Sequence, residues 1–248
     1  MNGTTSVDTR AGAGHSGRKA VLAATAVVIP TIAAAAARHK LRNWGTTWDE
    51  RARQLPGDEL IDDATSVYTR AITIHATPDE VWQWLVQIGQ DRGGWYSYEG
   101  LENLFGLDIH NTDEIRDEWQ ELSVGDEVRV APAGALGMKD GYSFRAAIVE
   151  PGRALVLRQE PPEHPWNATW AFVLAPDGWG GTRLLVRGRS VRPSGLAGYL
   201  VQISGELLDP VTLIMTRRML LGIRARAEFA HQRRLRKEAG VADRLKAA

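Results

Sequence analysis

The chain contains no cysteine among its 248 residues. Disulfide bonds, thiolate nucleophiles and cysteine-ligated metal sites are therefore excluded, while the redox compartment is left open. The chain also has no surplus charge, because 30 basic residues balance 30 acidic residues. Phosphate contacts require a basic surplus, so this balance argues against a dedicated nucleic-acid-binding protein.

Two short motifs of well-known enzyme classes are missing as well. The sequence has no Gly-x-Ser-x-Gly nucleophile elbow and no His-Glu-x-x-His zinc motif. Their absence lowers the case for a hydrolase or a zinc protease, but it leaves room for an enzyme whose catalytic groups are scattered over several strands. No spacing of metal ligands stands out, so no metal site and no cofactor is predicted.

Long apolar runs are scarce, and the one candidate is Ala20–Ala37. Three interpretations are compatible with it: a single-span membrane anchor, a cleaved signal peptide, or an Ala-rich helix in water. We favour the anchor. Basic residues are slightly denser after the run than before it, which predicts a single-pass membrane protein with the main domain on the cytoplasmic side.

Composition divides the remaining chain. Residues 1–19 are rich in Gly, Ser, Thr and Ala and are predicted to be disordered. Residues 38–64 are predicted to be a linker, since they are polar and contain a Pro-Gly pair. The main domain is then expected at 65–237 and a tail at 238–248.

The clearest local signal is a strand that leads into a capped helix. Thr77 and Glu80 have the spacing of a capping box, and Pro78 occupies the first helical position. Shorter helices are predicted at Tyr98–Phe105 and Asp113–Trp119. A long helical pattern follows from Leu196 to about Lys237, with a helix start predicted at Pro210 and Asp209 as its cap.

Between these helices the sequence predicts antiparallel hairpins, because short alternating runs are separated by Pro- and Gly-containing turns. The predicted strands are Tyr68–Ile74, Glu127–Ala131, Tyr142–Glu150, Ala154–Gln159, Trp166–Leu174 and Thr182–Val191. The fold class is therefore α+β, with a long helix laid on one face of an antiparallel sheet.

Alternation predicts which sheet face the helix covers. Phe144, Ala146 and Ile148 share one side of their strand. In the last strand the arginines at 183, 187 and 189 take the side opposite the apolar residues, so that second face is predicted to be largely solvated. Small residues on the covered face and methionines on the helix predict an apolar cavity, with an ordinary filled core as the alternative.

This layout resembles the START-like, helix-grip domains, also called the SRPBCC or Bet v 1-like superfamily. The resemblance covers residues 65–237 and rests on the Ala-Thr-Pro-Asp-Glu-Val-Trp helix start, the meander and the long last helix. The Gly-Gly-Trp-Tyr-Ser-Tyr segment at 93–98 is similar to membrane-linked bacterial members of the polyketide cyclase/dehydrase-like kind. The resemblance implies a curved sheet that grips the last helix, with a pocket between them for lipids, polyketides or other apolar molecules.

Candidate site residues follow from this arrangement. A glycine-hinged aromatic loop and the inner faces of a strand and the last helix are predicted to bind the ligand or else to pack the core. These candidates are Trp95, Tyr96, Tyr98, Trp170, Met215 and Met219. His110, which stands between two carboxylates, and Glu99 are the weaker candidates for acid–base catalysis, as is Glu102 if it is buried.

Three functions remain open from the sequence. The leading hypothesis is binding, transport or sequestration of a small hydrophobic ligand such as a lipid or polyketide. The second is a cyclase/dehydrase-type enzyme that uses acid–base residues in the cavity, and the third is a membrane-tethered protein-interaction domain. The oligomeric state is not predicted.

Overall fold

The computed structural model describes residues 35–135, 138–161, 167–192 and 195–246, with side chains omitted at 195–209 and 242–246. The chain divides into two compact units, Met1–Leu41 and Arg42–Ala248. In the first unit the described residues 35–41 are helical. No helix among the described residues is long and apolar enough to cross a membrane. Most of the predicted anchor at Ala20–Ala37 lies outside the described residues, and so does residue 166.

The second unit is built on one six-stranded antiparallel sheet with the spatial order β1-β6-β5-β4-β3-β2. Its strands are β1 Ser66–Ile74, β2 Glu127–Ala131, β3 Tyr142–Glu150, β4 Ala154–Gln159, β5 Asn167–Pro176 and β6 Thr182–Val191. In the described part of this unit the sheet is accompanied by the helices α1 Trp48–Ala52, α2 Pro78–Val86, α3 Glu99–Leu104 and α4 Gly195–Lys246. The α+β fold class is confirmed: the curled sheet packs against the long last helix.

Helix α4 covers the first face of the sheet. Its buried residues at 219, 220, 223 and 227 join the inward-facing residues of all six strands in one large apolar core. The predicted helix start at Pro210 is wrong, because α4 runs through that residue without a break. Proline removes one backbone donor from a helix and disfavours its interior, but it does not have to end the helix. The third helix predicted at Asp113–Trp119 is reduced to one 3-10 turn at Asp117–Trp119.

The capping box at the start of α2 is confirmed. The Thr77 N–H donates to Glu80 Oε2 at 2.9 Å, and the Glu80 N–H donates to the Thr77 hydroxyl at 3.4 Å. The same carboxylate contacts His231 at 2.8 Å and Arg234 at 2.8 Å on α4. One local helix signal therefore also fixes α2 against the last helix.

Residues 43–61, here called the strap, cross the second face of the sheet. Leu55 and Ile61 of the strap are buried, and Leu55 packs in a second apolar cluster with outward-facing residues of β1, β4, β5 and β6. The strap therefore packs on the sheet, where the sequence indicates a linker or a loosely packed lead-in. Its polar composition is misleading because two apolar anchors and many backbone carbonyls are enough to dock it.

The arginines of β6 hold the strap in place. Arg183 contacts Glu50 at 2.7 Å, and Arg189 donates to the Ile61 carbonyl at 2.7 Å. Arg187 is only 3% exposed and donates to three strap carbonyls and to Asp58 at 2.5 Å. The expectation of a largely solvated second face is therefore wrong, since these guanidinium groups are satisfied by the strap rather than by water.

A β-bulge in β3 puts Ile148 on the opposite face of the sheet from the one predicted. The register of β3 against β4 shifts between Ala146 and Ile148. Ala146 faces the helix side, whereas Ile148 packs against the cluster under the strap. An extra residue reverses the alternation of side chains beyond it, which a strict period of two does not anticipate.

Candidate functional site

A cavity of about 660 Å³ lies between the sheet and α4. It reaches from the β1–β6 side of the sheet, where Ser66 and Gly188 line it, to the β2–β3 side, where Val130 contributes. Five aromatic side chains form much of its wall: Tyr68, Trp95, Tyr142, Phe144 and Trp170.

Gly188 allows the cavity to take this form. A Cβ atom added at Gly188 would lie 2.3 Å from the ring of Tyr68, its neighbour across the β1–β6 pair. The absence of a side chain therefore lets the Tyr68 ring lie over β6 as part of the wall. Gly188, one of the small residues predicted on the covered face, therefore leaves room for the Tyr68 ring.

Two tryptophans form the centre of the aromatic wall. The rings of Trp95 and Trp170 are stacked, with centroids 5.2 Å apart and an angle of 22° between their planes. Phe172 supports Trp170 from the strand at 5.0 Å. The indole N–H groups of both tryptophans are buried and have no hydrogen-bond partner among the described residues. Each can donate to an oxygen of a bound molecule.

Helix α4 supplies the opposite wall. Met215, Thr216 and Met219 line the cavity, and Met219 is almost fully buried. The Ser97 hydroxyl donates to the Met215 carbonyl at 3.2 Å, which ties the aromatic loop to the helix. The structure thus brings Trp95, Trp170 and the two methionines together around one cavity; their role in binding stays a prediction.

Tyr96 and Tyr98, which are also predicted to bind the ligand, do not line this cavity. Tyr96 is buried beneath the loop, where its hydroxyl donates to the Trp84 carbonyl at 3.2 Å and accepts from Gln87 at 3.0 Å. Burial is the main reason why the pKa of Tyr96 is raised above its usual value. Tyr98 is 43% exposed. Both residues line a separate depression of about 620 Å³ next to Arg218, outside the aromatic cavity.

The two acid–base candidates from the sequence are also outside the cavity. The His110 side chain is 73% exposed and lies 3.1 Å from Asp108 and 3.6 Å from Glu99. Glu99 accepts the N–H of Asn111 at 3.0 Å. This arrangement fixes the 108–111 loop on α3, and it directs neither group toward the aromatic wall.

Among the described residues that line the cavity, Glu102 carries the carboxyl group. It is 6% exposed, and its Oε2 atom has no hydrogen-bond partner among the described residues. Burial, and next the charge of Glu99, raise the pKa of Glu102 to about 7, while the Ser97 hydroxyl opposes this shift. A carboxyl group with this pKa exchanges protons near neutral pH.

The opposite end of the cavity is basic. Arg42 and Arg189 line it on the β1–β6 side, where Arg42 donates to the Ser66 hydroxyl. Arg70 lies just behind this end: it is buried, donates to the Thr216 hydroxyl at 2.6 Å and lies 4.5 Å over the Tyr68 ring. The cavity therefore has a carboxyl group at one end and guanidinium groups at the other.

A curled antiparallel sheet, a long last helix across it and a cavity between them define the architecture. The chain has an α+β, helix-grip-like fold. No protein-family model and no curated protein matches the sequence. Among the described residues of this helix-grip domain, no cluster of His, Cys, Asp and Glu has the arrangement of a metal site.

Several solved structures resemble the helix-grip domain at low identity. Protein Ms6760 from Mycobacterium smegmatis is 15% identical, with 66% of this chain and 92% of that chain covered and a TM-score of 0.40. DR_A0006 from Deinococcus radiodurans is 16% identical, with 66% and 99% covered and a TM-score of 0.37. The di-domain ARO/CYC StfQ from the steffimycin biosynthetic pathway is 16% identical, with 69% and 53% covered and a TM-score of 0.40. These likenesses concern the fold and carry no information about a ligand.

Proposed function

We propose that the helix-grip domain binds a small, mainly apolar molecule, of the lipid or polyketide class, in the cavity between the sheet and α4. The observation that carries this proposal is the aromatic-walled cavity of about 660 Å³. Small-molecule sites in proteins have this order of size and combine an apolar wall with a few polar groups.

An ordinary filled core explains this space less well than a binding cavity does. Side chains around an apolar void lose dispersion contacts on one side, so large voids lower stability. Water gains little in an apolar cavity because it finds few hydrogen-bond partners there. The stacked tryptophans and Met215 instead offer contact area to a guest, and methionine adapts to irregular shapes.

Filling the cavity from within tests the proposal. Ala168 lines the cavity at the start of β5, and the substitution Ala168→Phe would occupy part of it. Val124→Phe is the matched control, since Val124 is 66% exposed and outside the cavity. We expect the wild type and the control to bind the neutral dye Nile red, and Ala168→Phe to bind it about tenfold more weakly or worse, because core space is sterically limited.

Native mass spectrometry of the full-length chain gives an independent measurement. A retained or added apolar molecule in the wild type, and its loss in Ala168→Phe, would support the proposal. Equal dye binding by all three proteins, with no molecule retained, would show that the cavity is not a binding site.

One observation favours a second candidate function, a cyclase/dehydrase-type enzyme. Glu102 is a buried carboxyl group with a pKa of about 7, and it lines the cavity together with the Ser97 hydroxyl. Such a pair meets the minimum for general acid–base chemistry. Conversion of a bound molecule by the wild type but not by Glu102→Gln would establish this function, whereas recovery of the unchanged molecule from both would leave binding alone.

A further inference from the structure

The charged groups at the two ends of the cavity have different hydrogen-bond partners. At the basic end Arg189 already donates to the Ile61 carbonyl at 2.7 Å, and Arg42 is bonded to Ser66. At the other end Glu102 is 94% buried, as its 6% exposure implies, and its Oε2 atom has no partner among the described residues. Glu102 is therefore a charged group of this wall whose hydrogen-bonding capacity is not met among the described residues.

We propose that the apolar ligand carries an amine, held as an ammonium group by the Glu102 carboxylate and the aromatic wall beside it. The inference rests on the proposed binding function and specifies the chemical class of its ligand. An ammonium group supplies the N–H donors that the carboxylate lacks, and it brings the opposite charge into a buried site.

The aromatic wall favours a cation over a neutral polar group. Trp95, Trp170, Tyr142 and Phe144 line the same cavity as Glu102. The faces of aromatic rings attract cations, most strongly when water is excluded. The protein already uses this interaction, since the Arg70 guanidinium lies 4.5 Å over Tyr68 at the far end of the wall.

The charge distribution along the cavity sets the orientation. Arg42 and Arg189 repel a cation from the β1–β6 side, whereas Glu102 attracts it to the α3 side. An amine with an apolar body is thus expected to lie with its nitrogen at Glu102 and its hydrocarbon part against the methionines of α4.

This pairing should depend on pH because Glu102 must be ionised to attract the ammonium group. With a pKa of about 7, most Glu102 carboxyl groups are neutral at pH 6 and ionised at pH 8. The other charged or titratable groups on neighbouring elements are Glu99 on α3, Arg218 on α4, Tyr142 on β3, and Arg42 and Arg189 at the far end. Burial raises the pKa of Tyr142 to about 12, so Tyr142 does not ionise in this range.

Decylamine and decanol are matched probes, since they share the same hydrocarbon chain and differ in the head group. We expect decylamine to displace Nile red from the full-length chain at about a tenfold lower concentration than decanol at pH 8, because hydrogen bonds to charged groups are stronger than neutral ones. Decylamine should bind about tenfold more tightly at pH 8 than at pH 6, following the ionised fraction of Glu102, while decanol binding stays constant.

The variant Glu102→Gln keeps the size of the side chain and removes its charge. It should bind both probes with affinities within about threefold of each other and without the change between pH 6 and pH 8. Glu127→Gln is the control, since Glu127 is an exposed carboxylate on β2, the strand that contributes Val130 to the cavity. This control should keep the wild-type preference for decylamine.

Each outcome separates the inference from the proposed function. Equal binding of decylamine and decanol by the wild type at both pH values would overturn the inference and leave apolar binding intact. Tighter binding of decanoate than of either probe would also overturn it, because recognition would then lie at the arginine end. Failure of every probe to displace the dye would instead count against the proposed function itself. The wild-type comparison decides the question even if Glu102→Gln does not fold.

Discussion

The two faces of the sheet bury arginine and carboxylate groups in opposite ways. Under the strap, Arg187 is buried and all its contacts are made within the chain, to three carbonyls, Thr69 and Asp58. Under α4, Glu102 is buried with an oxygen that lacks a partner among the described residues. Burial of a charged group is costly unless it is paired. A fully satisfied group indicates a structural contact, whereas an unsatisfied group beside a cavity indicates a place for a ligand.

The two faces of the sheet also differ in the size of the side chains that pack on them. The cluster under the strap is built from small and medium residues such as Ala71, Ala154, Val156 and Ala171, with Leu55 as the strap's anchor. The core under α4 contains most of the large aromatic side chains, and yet it leaves a cavity of about 660 Å³. A short segment can close a flat surface of small residues, while a helix held away by tryptophans cannot close against the sheet.

The largest expected effect comes from removing the buried guanidinium group under the strap. Arg187→Met should lower the free energy of unfolding by about 3–5 kcal/mol, because Asp58 and the strap carbonyls would remain buried without their donor. Arg129→Met at an exposed position of β2 should change it by less than about 0.5 kcal/mol. Urea unfolding of both variants measures the difference, and similar small losses would mean that the strap is not held by Arg187.

Much of the fold could be predicted from the sequence, because the sheet's local signals agree with its tertiary structure. Turn residues delimit β2, β3, β4 and β6 at the observed bounds. The strap could not be predicted in this way. Its docking depends on bonds from Arg183, Arg187 and Arg189 across more than a hundred residues, and such pairings leave no periodic pattern.

The candidate site was predictable in part. Alternation and helical spacing place residues 170, 215 and 219 on the covered side, whereas residue 95 is a candidate because it lies in a glycine-hinged aromatic loop. Glu102 was harder to find because α3 has an inverted pattern: Leu101, Leu104 and Phe105 are exposed at 39%, 77% and 59%, while Glu102 faces inward. The usual rule for helix faces would have placed the carboxyl group in water.

The second prediction tests the unsatisfied carboxyl group on the cavity side through stability. The folded pKa of Glu102 is about 7 and the ordinary value is 4.5, so the folded state retains this proton over a wider pH range than the unfolded state. The stabilising contribution is present below about pH 4.5 and is lost as pH rises to about 7. Between pH 5 and pH 8 the wild type should therefore lose about 2 kcal/mol more than Glu102→Gln.

Urea unfolding of ligand-free wild type and Glu102→Gln at the two pH values measures this difference directly. Parallel losses in the two proteins would show that Glu102 is hydrated or paired in solution. The contrast between Glu102 and Arg187 would then not hold, because both side chains would be satisfied.

The smallest effect concerns how tightly α4 packs against the aromatic loop at Gly222. A Cβ atom at Gly222 would lie 2.2 Å from the Tyr96 carbonyl oxygen, so Gly222→Ala forces the aromatic loop away from the helix. We expect a loss of about 1–2 kcal/mol in the free energy of unfolding, since overpacking strains a close contact. Gly240→Ala on the same helix meets no neighbouring atom within 4 Å and should raise stability by about 0.5–1 kcal/mol through helix propensity. Opposite signs for the two variants in urea unfolding would show that α4 packs closely against the aromatic loop at Gly222. A gain in both variants would instead show that the loop moves aside without cost.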